Sequence, residues 1–302
     1  MEVSDERGEF PMNDDKHSHG AFEQYIRQGE PEQVERAGCW QTAIGLQDVD
    51  GLKTSAYLQE TAQAHIEGNI DIGEARRRIE SYYEVREERL KDDAANTAEA
   101  DIVSARITEI LGERSFKFAP VTLFSIHRRL FDGLWEHAGK VRTYNITKKE
   151  WVLYGESVYY ASAQSIMETL DYDFEQESAF SYQDLSMQAI IRHIAKFTSG
   201  IWQIHPFCEG NTRTTAVFMI MYLRTLGFAL QNDVFAENSW YFRNALVRAN
   251  YNQIRQGIRA TTKYLELFYE NQLLGAKHEL KNRDLCIEFC DSHMESRDIQ
   301  NG

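Results

Sequence analysis

Nine consecutive residues, His205-Pro206-Phe207-Cys208-Glu209-Gly210-Asn211-Thr212-Arg213, place an imidazole, a carboxylate, an amide and a guanidinium in one short link. Imidazole takes and returns protons near neutral pH, so His205 is a candidate general base for an incoming hydroxyl. Arg213 offers a planar fork of donors suited to phosphate oxygens, and Asn211 can donate through its amide. Glu209 is the one acid. Beside a polyphosphate, a lone carboxylate suits Mg²⁺, which prefers oxygen ligands and keeps several waters. Gly210 lets the backbone pass close to a ligand, and the amides from Gly210 to Arg213 open a helix whose positive end attracts anions. Together these groups fit nucleotidyl or phosphoryl transfer. The bland alternative is a helix-end histidine beside a plain Glu209–Arg213 salt bridge.

Two apolar helices must hold this loop. Leu185 to Ile204 carries Ile190, Ile194, Phe197, Ile201 and Ile204 at three- and four-residue intervals, which predicts one buried face. Pro206 ends that helix and leaves the His205 ring at its edge, facing solvent. Thr214 to Leu226 is apolar nearly all round and closed by Gly227, as the central helix of a bundle would be. Ile102 to Leu111, Leu123 to Leu134, Trp240 to Ala249 and Thr262 to Leu274 read as further helices. Trp151-Val152-Leu153 and Val158-Tyr159-Tyr160, separated by Tyr154-Gly155-Glu156-Ser157, predict a short β-hairpin. Upstream, Leu52 to Ile66 and Ile72 to Tyr83 form a helical hairpin broken at Gly68-Asn69, too small to bury a core alone. The fold class is therefore mainly α, a helical bundle with a short β-hairpin and an N-terminal helical hairpin. The chain divides into a loosely ordered arm (1–35), an N-terminal helical region (36–95), a main domain (96–275) and a polar tail (276–302).

A formal charge of −14 over 302 residues with no long Lys/Arg run argues against nucleic acid and anionic membranes as partners. The apolar run Ala216 to Leu223 is far short of the ~20 residues that span a bilayer. With no basic-then-apolar leader and four cysteines lacking zinc or disulfide spacing, the expectation is a cytoplasmic protein. No His-Glu-x-x-His or comparable cluster supports a metal hydrolase.

His205 to Arg213 resembles the Fic motif His-Pro-Phe-x-Asp/Glu-Gly-Asn-Gly-Arg, departing only at Thr212, where glycine is usual. The likeness extends from about Ile102 to Leu274 through Ile126-His127-Arg128-Arg129-Leu130-Phe131 and Ala138-Gly139-Lys140-Val141-Arg142. It implies that ATP is the donor, that His205 deprotonates a Ser, Thr or Tyr hydroxyl of a target protein, and that Glu209 binds Mg²⁺. It further implies that Phe207 anchors the loop, that Gly210, Asn211, Thr212 and Arg213 hold the nucleotide, and that the hairpin is a flap along which the target docks. Self-association is an open option. Many relatives carry a second arginine three residues on, where this chain has Ala216; the alternatives are another phosphate-containing donor or a catalytically silent binding module. Gln63-Ala64-His65-Ile66-Glu67-Gly68-Asn69 resembles the family's inhibitory helix, with Glu67 as the regulatory acid and Arg213 as its expected partner.

Overall fold

The computed structural model describes residues 22–84, 92–230 and 232–287. It contains eleven α-helices among the described residues: α1 (Glu23–Gln28), α2 (Pro31–Gly45), α3 (Ala56–Ile66), α4 (Ile72–Glu84), α5 (Asp92–Gly112), α6 (Pro120–Phe131), α7 (Ile166–Ala179), α8 (Met187–Ile204), α9 (Asn211–Thr225), α10 (Asn232–Ala249) and α11 (Lys263–Leu274). Short 3₁₀ turns occupy Leu46–Asp50, Trp151–Leu153, Ile254–Gln256 and Asn282–Leu285.

α8 begins at Ser186, whose hydroxyl accepts the Ala189 amide, and buries all five of its periodic apolar residues. At roughly 1.5–3 kcal/mol for each fully buried aliphatic or aromatic side chain, that face fixes the helix end bearing His205. Every residue of α9 from Asn211 to Leu223 is buried, as expected of a central helix. Around this pair α6, α7, α10 and α11 close the main core.

A second core joins α1 to α4 with the first half of α5, through Trp40, Ile44, Leu58, Ile66, Ile79, Tyr83, Ala98 and Ile102. The α3–α4 hairpin docks as its small size requires. Asp101 of α5 accepts from the Ser55 amide at 2.9 Å and from the Tyr83 hydroxyl at 2.6 Å, pinning both ends of the hairpin. α2 lies between the two cores: Trp40 and Ile44 face one, Cys39 and Ala43 the other. Its close approach to α10 needs Gly45, where a Cβ would fall 2.4 Å from Ala236.

Three expectations change. The arm read over 1–35 lies outside the described residues up to 21; from Glu23 the chain is helical, because α1 and α2 carry apolar residues that reach the second core. The tail is not wholly detached, since Leu285 and Ile287 are buried and the Ile287 amide donates to the Val152 carbonyl. The β-hairpin is absent, and no strand ladder exists among the described residues. Trp151–Leu153 is a 3₁₀ turn, closed by the Glu150 amide on Glu156 O and the Gly155 amide on Glu150 O, both at 3.0 Å. Val152 and Leu153 are consecutive and both fully buried, which a surface hairpin with one face in solvent cannot supply.

Candidate active site

His205 terminates α8 in the left-handed region, at φ 51° and ψ 60°, a conformation that histidine tolerates better than most residues. Arg142 holds it there. This buried guanidinium donates Nε to the His205 carbonyl at 2.7 Å, Nη1 to Tyr144 O and Nη2 to Ala161 O and Ile204 O, while its own amide binds Pro206 O. One cation thus satisfies carbonyls orphaned at the end of α8 and ties them to two neighbouring loops.

Contrary to the solvent-facing ring expected from Pro206, the imidazole is buried. It packs against Tyr160, with ring centroids 4.2 Å apart, and edge-on to Trp202 at 5.3 Å. Nδ1 lies 3.3 Å from Trp202 O, and Nε2 has no hydrogen-bond partner. Burial holds its pKa well below the usual histidine value, with Lys148, Arg142 and Arg243 adding to the effect. The ring is therefore neutral at pH 7, with a free lone pair on one nitrogen.

The rest of the loop is shaped from within. Phe207 stacks on His127 at 3.7 Å, the core anchor that the resemblance implies. His127 accepts the Gly139 amide on Nδ1 at 2.8 Å, so its proton sits on Nε2, which donates to Glu209 O at 3.0 Å. Asn211 spends both ends of its amide on the Phe207 backbone, at 3.0 and 2.8 Å. Gly210 (φ 73°) caps α9, and a Cβ there would lie 2.4 Å from Phe131. Thr212 accepts the Trp202 indole N–H at 2.9 Å.

His205, Glu209, Gly210, Asn211 and Thr212 line one cleft together with Asp50, Lys148, Glu150, Trp202 and Arg243. Its free volume is about 20 Å³, room for a single water. Glu209 is more than half exposed and pairs with Lys148 at 2.7 Å, so the plain Glu209–Arg213 bridge is not formed. One exposed carboxylate at a cleft mouth fits Mg²⁺ carried mainly by phosphate and water oxygens; among the described residues no cluster of three or more acidic, His or Cys ligands forms a protein cage.

Arg213 does not face this cleft. It is fully buried, with Nε 2.8 Å from Asp50, Nη2 2.7 Å from Glu99 and Nη1 3.0 Å from Gln47, and its flat face lies over Phe131 and Trp135. The expected Glu67–Arg213 pair is therefore absent. Glu67 is exposed and accepts from Tyr25, Gln63 and Asn69. It borders a separate hollow of about 590 Å³ with Glu30, Glu32 and Arg36, which contains no residue of the loop. The physical reason is placement: the chain reaches Arg213 through the turn Leu46–Asp50, ahead of the helix that carries Glu67.

Residues 117–223 match the Fic/DOC family model. They are a Fic domain. A probable protein adenylyltransferase of Sinorhizobium fredii is 28% identical over 146 residues, covering 48% of this chain and 71% of that protein. Two solved N-terminal Fic domains of Bartonella effector proteins superpose with TM-scores of 0.48. The one from Bartonella sp. 1-1C is 20% identical and covers 62% of this chain and 88% of its own; the one from Bartonella sp. AR 15-3 is 21% identical and covers 60% and 83%. No helix among the described residues is long and apolar enough to cross a membrane.

The loop alone marked His205, Glu209 and the start of α9. It gave no sign of the residues that surround the Fic loop in space: Asp50, Gln47 and Glu99 on Arg213, Lys148 on Glu209, Glu150 and Arg243 beside His205, and His127 and Arg142 behind the backbone. One signal was available. An acid before a positive-φ glycine occurs four times, at Asp50-Gly51, Glu67-Gly68, Asp132-Gly133 and Glu209-Gly210, and only the first two lie upstream of the Fic domain.

Proposed function

We propose that this Fic domain is a protein adenylyltransferase that moves AMP from ATP to a Ser, Thr or Tyr hydroxyl of a target protein. The observation that carries the reading is His205 Nε2, a buried, unpartnered, neutral nitrogen on the cleft that also holds Glu209 and the N-terminus of α9. In this mechanism the hydroxyl oxygen attacks the α-phosphorus, Nε2 takes the hydroxyl proton, and the bond to pyrophosphate breaks. Negative charge arriving with the phosphates raises the proton affinity of the imidazole at the moment it is needed. Glu209 would hold Mg²⁺, which neutralises phosphate charge; the free amides at the start of α9 add donors, and positioning supplies much of the rate. The name of the Sinorhizobium relative supports the same chemistry.

Target docking is assigned to the segment around Trp151–Leu153. Trp151, Tyr154 and Tyr159 are exposed there, an aromatic surface of the kind that partners bury. Without a strand, the target would meet side chains rather than a β-ladder.

Regulation moves from Glu67 to the turn Leu46–Asp50. With Gln47, Asp50 and Glu99 on its edges, Arg213 cannot reach a phosphate, and the cleft is too small for a nucleotide until Asp50 leaves.

The test is intact-mass spectrometry of the purified protein with a target lysate, Mg²⁺ and a panel of nucleotides. The expected result is addition of AMP from ATP, lost in His205→Ala. Transfer from another donor only would overturn ATP, and no transfer even from Asp50→Asn would overturn the enzyme.

A further inference from the structure

A polyphosphate carries several negative charges, and the two positions from which a Fic loop would be expected to answer them do not. Arg213 is enclosed by Gln47, Asp50 and Glu99, and the next arginine position is the fully buried Ala216. The cleft nevertheless contains two cations from outside the loop, Lys148 from the segment before the Trp151–Leu153 turn and Arg243 from α10.

Their pairings differ in kind. Arg243 Nη1 lies 2.7 Å from the fully buried Glu150, which also receives the Tyr160 hydroxyl at 3.2 Å, and the guanidinium is stacked over Trp240. Separating that pair would strand a buried carboxylate, so Arg243 is fixed. Its five N–H donors nonetheless exceed what one carboxylate oxygen can accept. Lys148 and Glu209 are respectively 27% and 56% exposed, and an exposed pair is cheap to exchange. Both cations line the same cleft as the unpartnered imidazole of His205, which places their charge beside the reacting centre.

We propose that Lys148 and Arg243 form the subsite for the phosphate oxygens of the donor. Arg243 is the fixed point, and Lys148 is an arm that turns from Glu209 to the phosphates when a divalent ion takes the carboxylate. This assignment rests on the adenylyltransferase reading of the same cleft.

Inorganic pyrophosphate is the probe, because its binding does not depend on which nucleoside the enzyme uses. Calorimetric titration of the full chain, in wild-type and Asp50→Asn backgrounds, is compared with Lys148→Met and with the double variant Arg243→Met/Glu150→Gln, which removes the buried pair together. A thermal melt establishes that each variant is folded. The expected result is pyrophosphate binding weakened about tenfold or more in each folded variant, with the affinity for AMP alone little changed and Arg243→Lys intermediate. Equal pyrophosphate binding by the folded variants, or none by wild type and Asp50→Asn, overturns the subsite. AMP transfer, measured separately by mass, then still decides the adenylyltransferase reading on its own.

Discussion

Replacing Asp50 by Asn keeps the side chain's size and removes its charge from the edge of Arg213. The two groups meet at 2.8 Å, with Arg213 fully buried and Asp50 about one-third exposed. Two unit charges ~4 Å apart at an effective dielectric of ~20 attract by about 4 kcal/mol before desolvation is counted. Arg213 Nε makes no aligned hydrogen bond and Asp50 is partly in water, so the net worth of the ion pair lies between the ~1 kcal/mol of an exposed pair and the ~3 kcal/mol at which the loss of a buried one begins. Glu99 and Gln47 stay on Arg213, so the guanidinium is not left unpaired, and the lower half of that range is the better figure. Destabilising the closed turn by about 1.5–2 kcal/mol raises the open fraction, and with it apparent nucleotide affinity, by roughly ten- to thirtyfold. The variant should therefore melt at a lower temperature, bind ATP more tightly by calorimetry and transfer AMP faster by intact mass. Glu67→Gly, which removes a side chain whose hydrogen-bond partners among the described residues are Tyr25, Gln63 and Asn69, should change neither binding nor transfer. If Glu67→Gly activates and Asp50→Asn does not, the reasoning from contacts at Arg213 is wrong.

Three further outcomes follow from the same geometry. Burial lowers His65 and His127 to about 4 and His205 well below its usual value; the unfolded chain binds these protons first as pH falls below ~6.5, so stability is lost between about pH 6.5 and 4. For His127 alone the loss is on the order of 3 kcal/mol, measurable by urea denaturation at pH 7 and pH 4.5. Gly210→Ala forces a Cβ 2.4 Å from Phe131 at positive φ and should cost about 2–4 kcal/mol; a melt within a degree or two of wild type would contradict the tight loop packing. Arg142→Met strips four carbonyls of their donor and should cost at least about 3 kcal/mol in urea denaturation, whereas an unchanged midpoint would mean that water replaces the guanidinium freely.

Much of this protein could be read from its residues in order. The three- and four-residue apolar spacing of α8 and the all-round apolar character of α9 gave the bundle's centre, because helical periodicity is a local property of the chain. His205 and Glu209 were legible because their chemistry is concentrated in one contiguous loop. The hairpin is not legible locally because Val152 and Leu153 have strand-forming side chains, yet both are buried beside Glu150, whose ion-pair partner Arg243 lies more than ninety residues away. Likewise the two acid-glycine pairs upstream of the Fic domain, Asp50-Gly51 and Glu67-Gly68, look alike in sequence. Which of them meets Arg213 depends on how α2 is wedged between two cores, and on the glycine that lets it approach α10. Spacing along the chain determined which residues could react; packing between distant segments decided which carboxylate covers the arginine, which cations share the cleft, and that the histidine is buried, because burial and charge pairing are properties of neighbours in space.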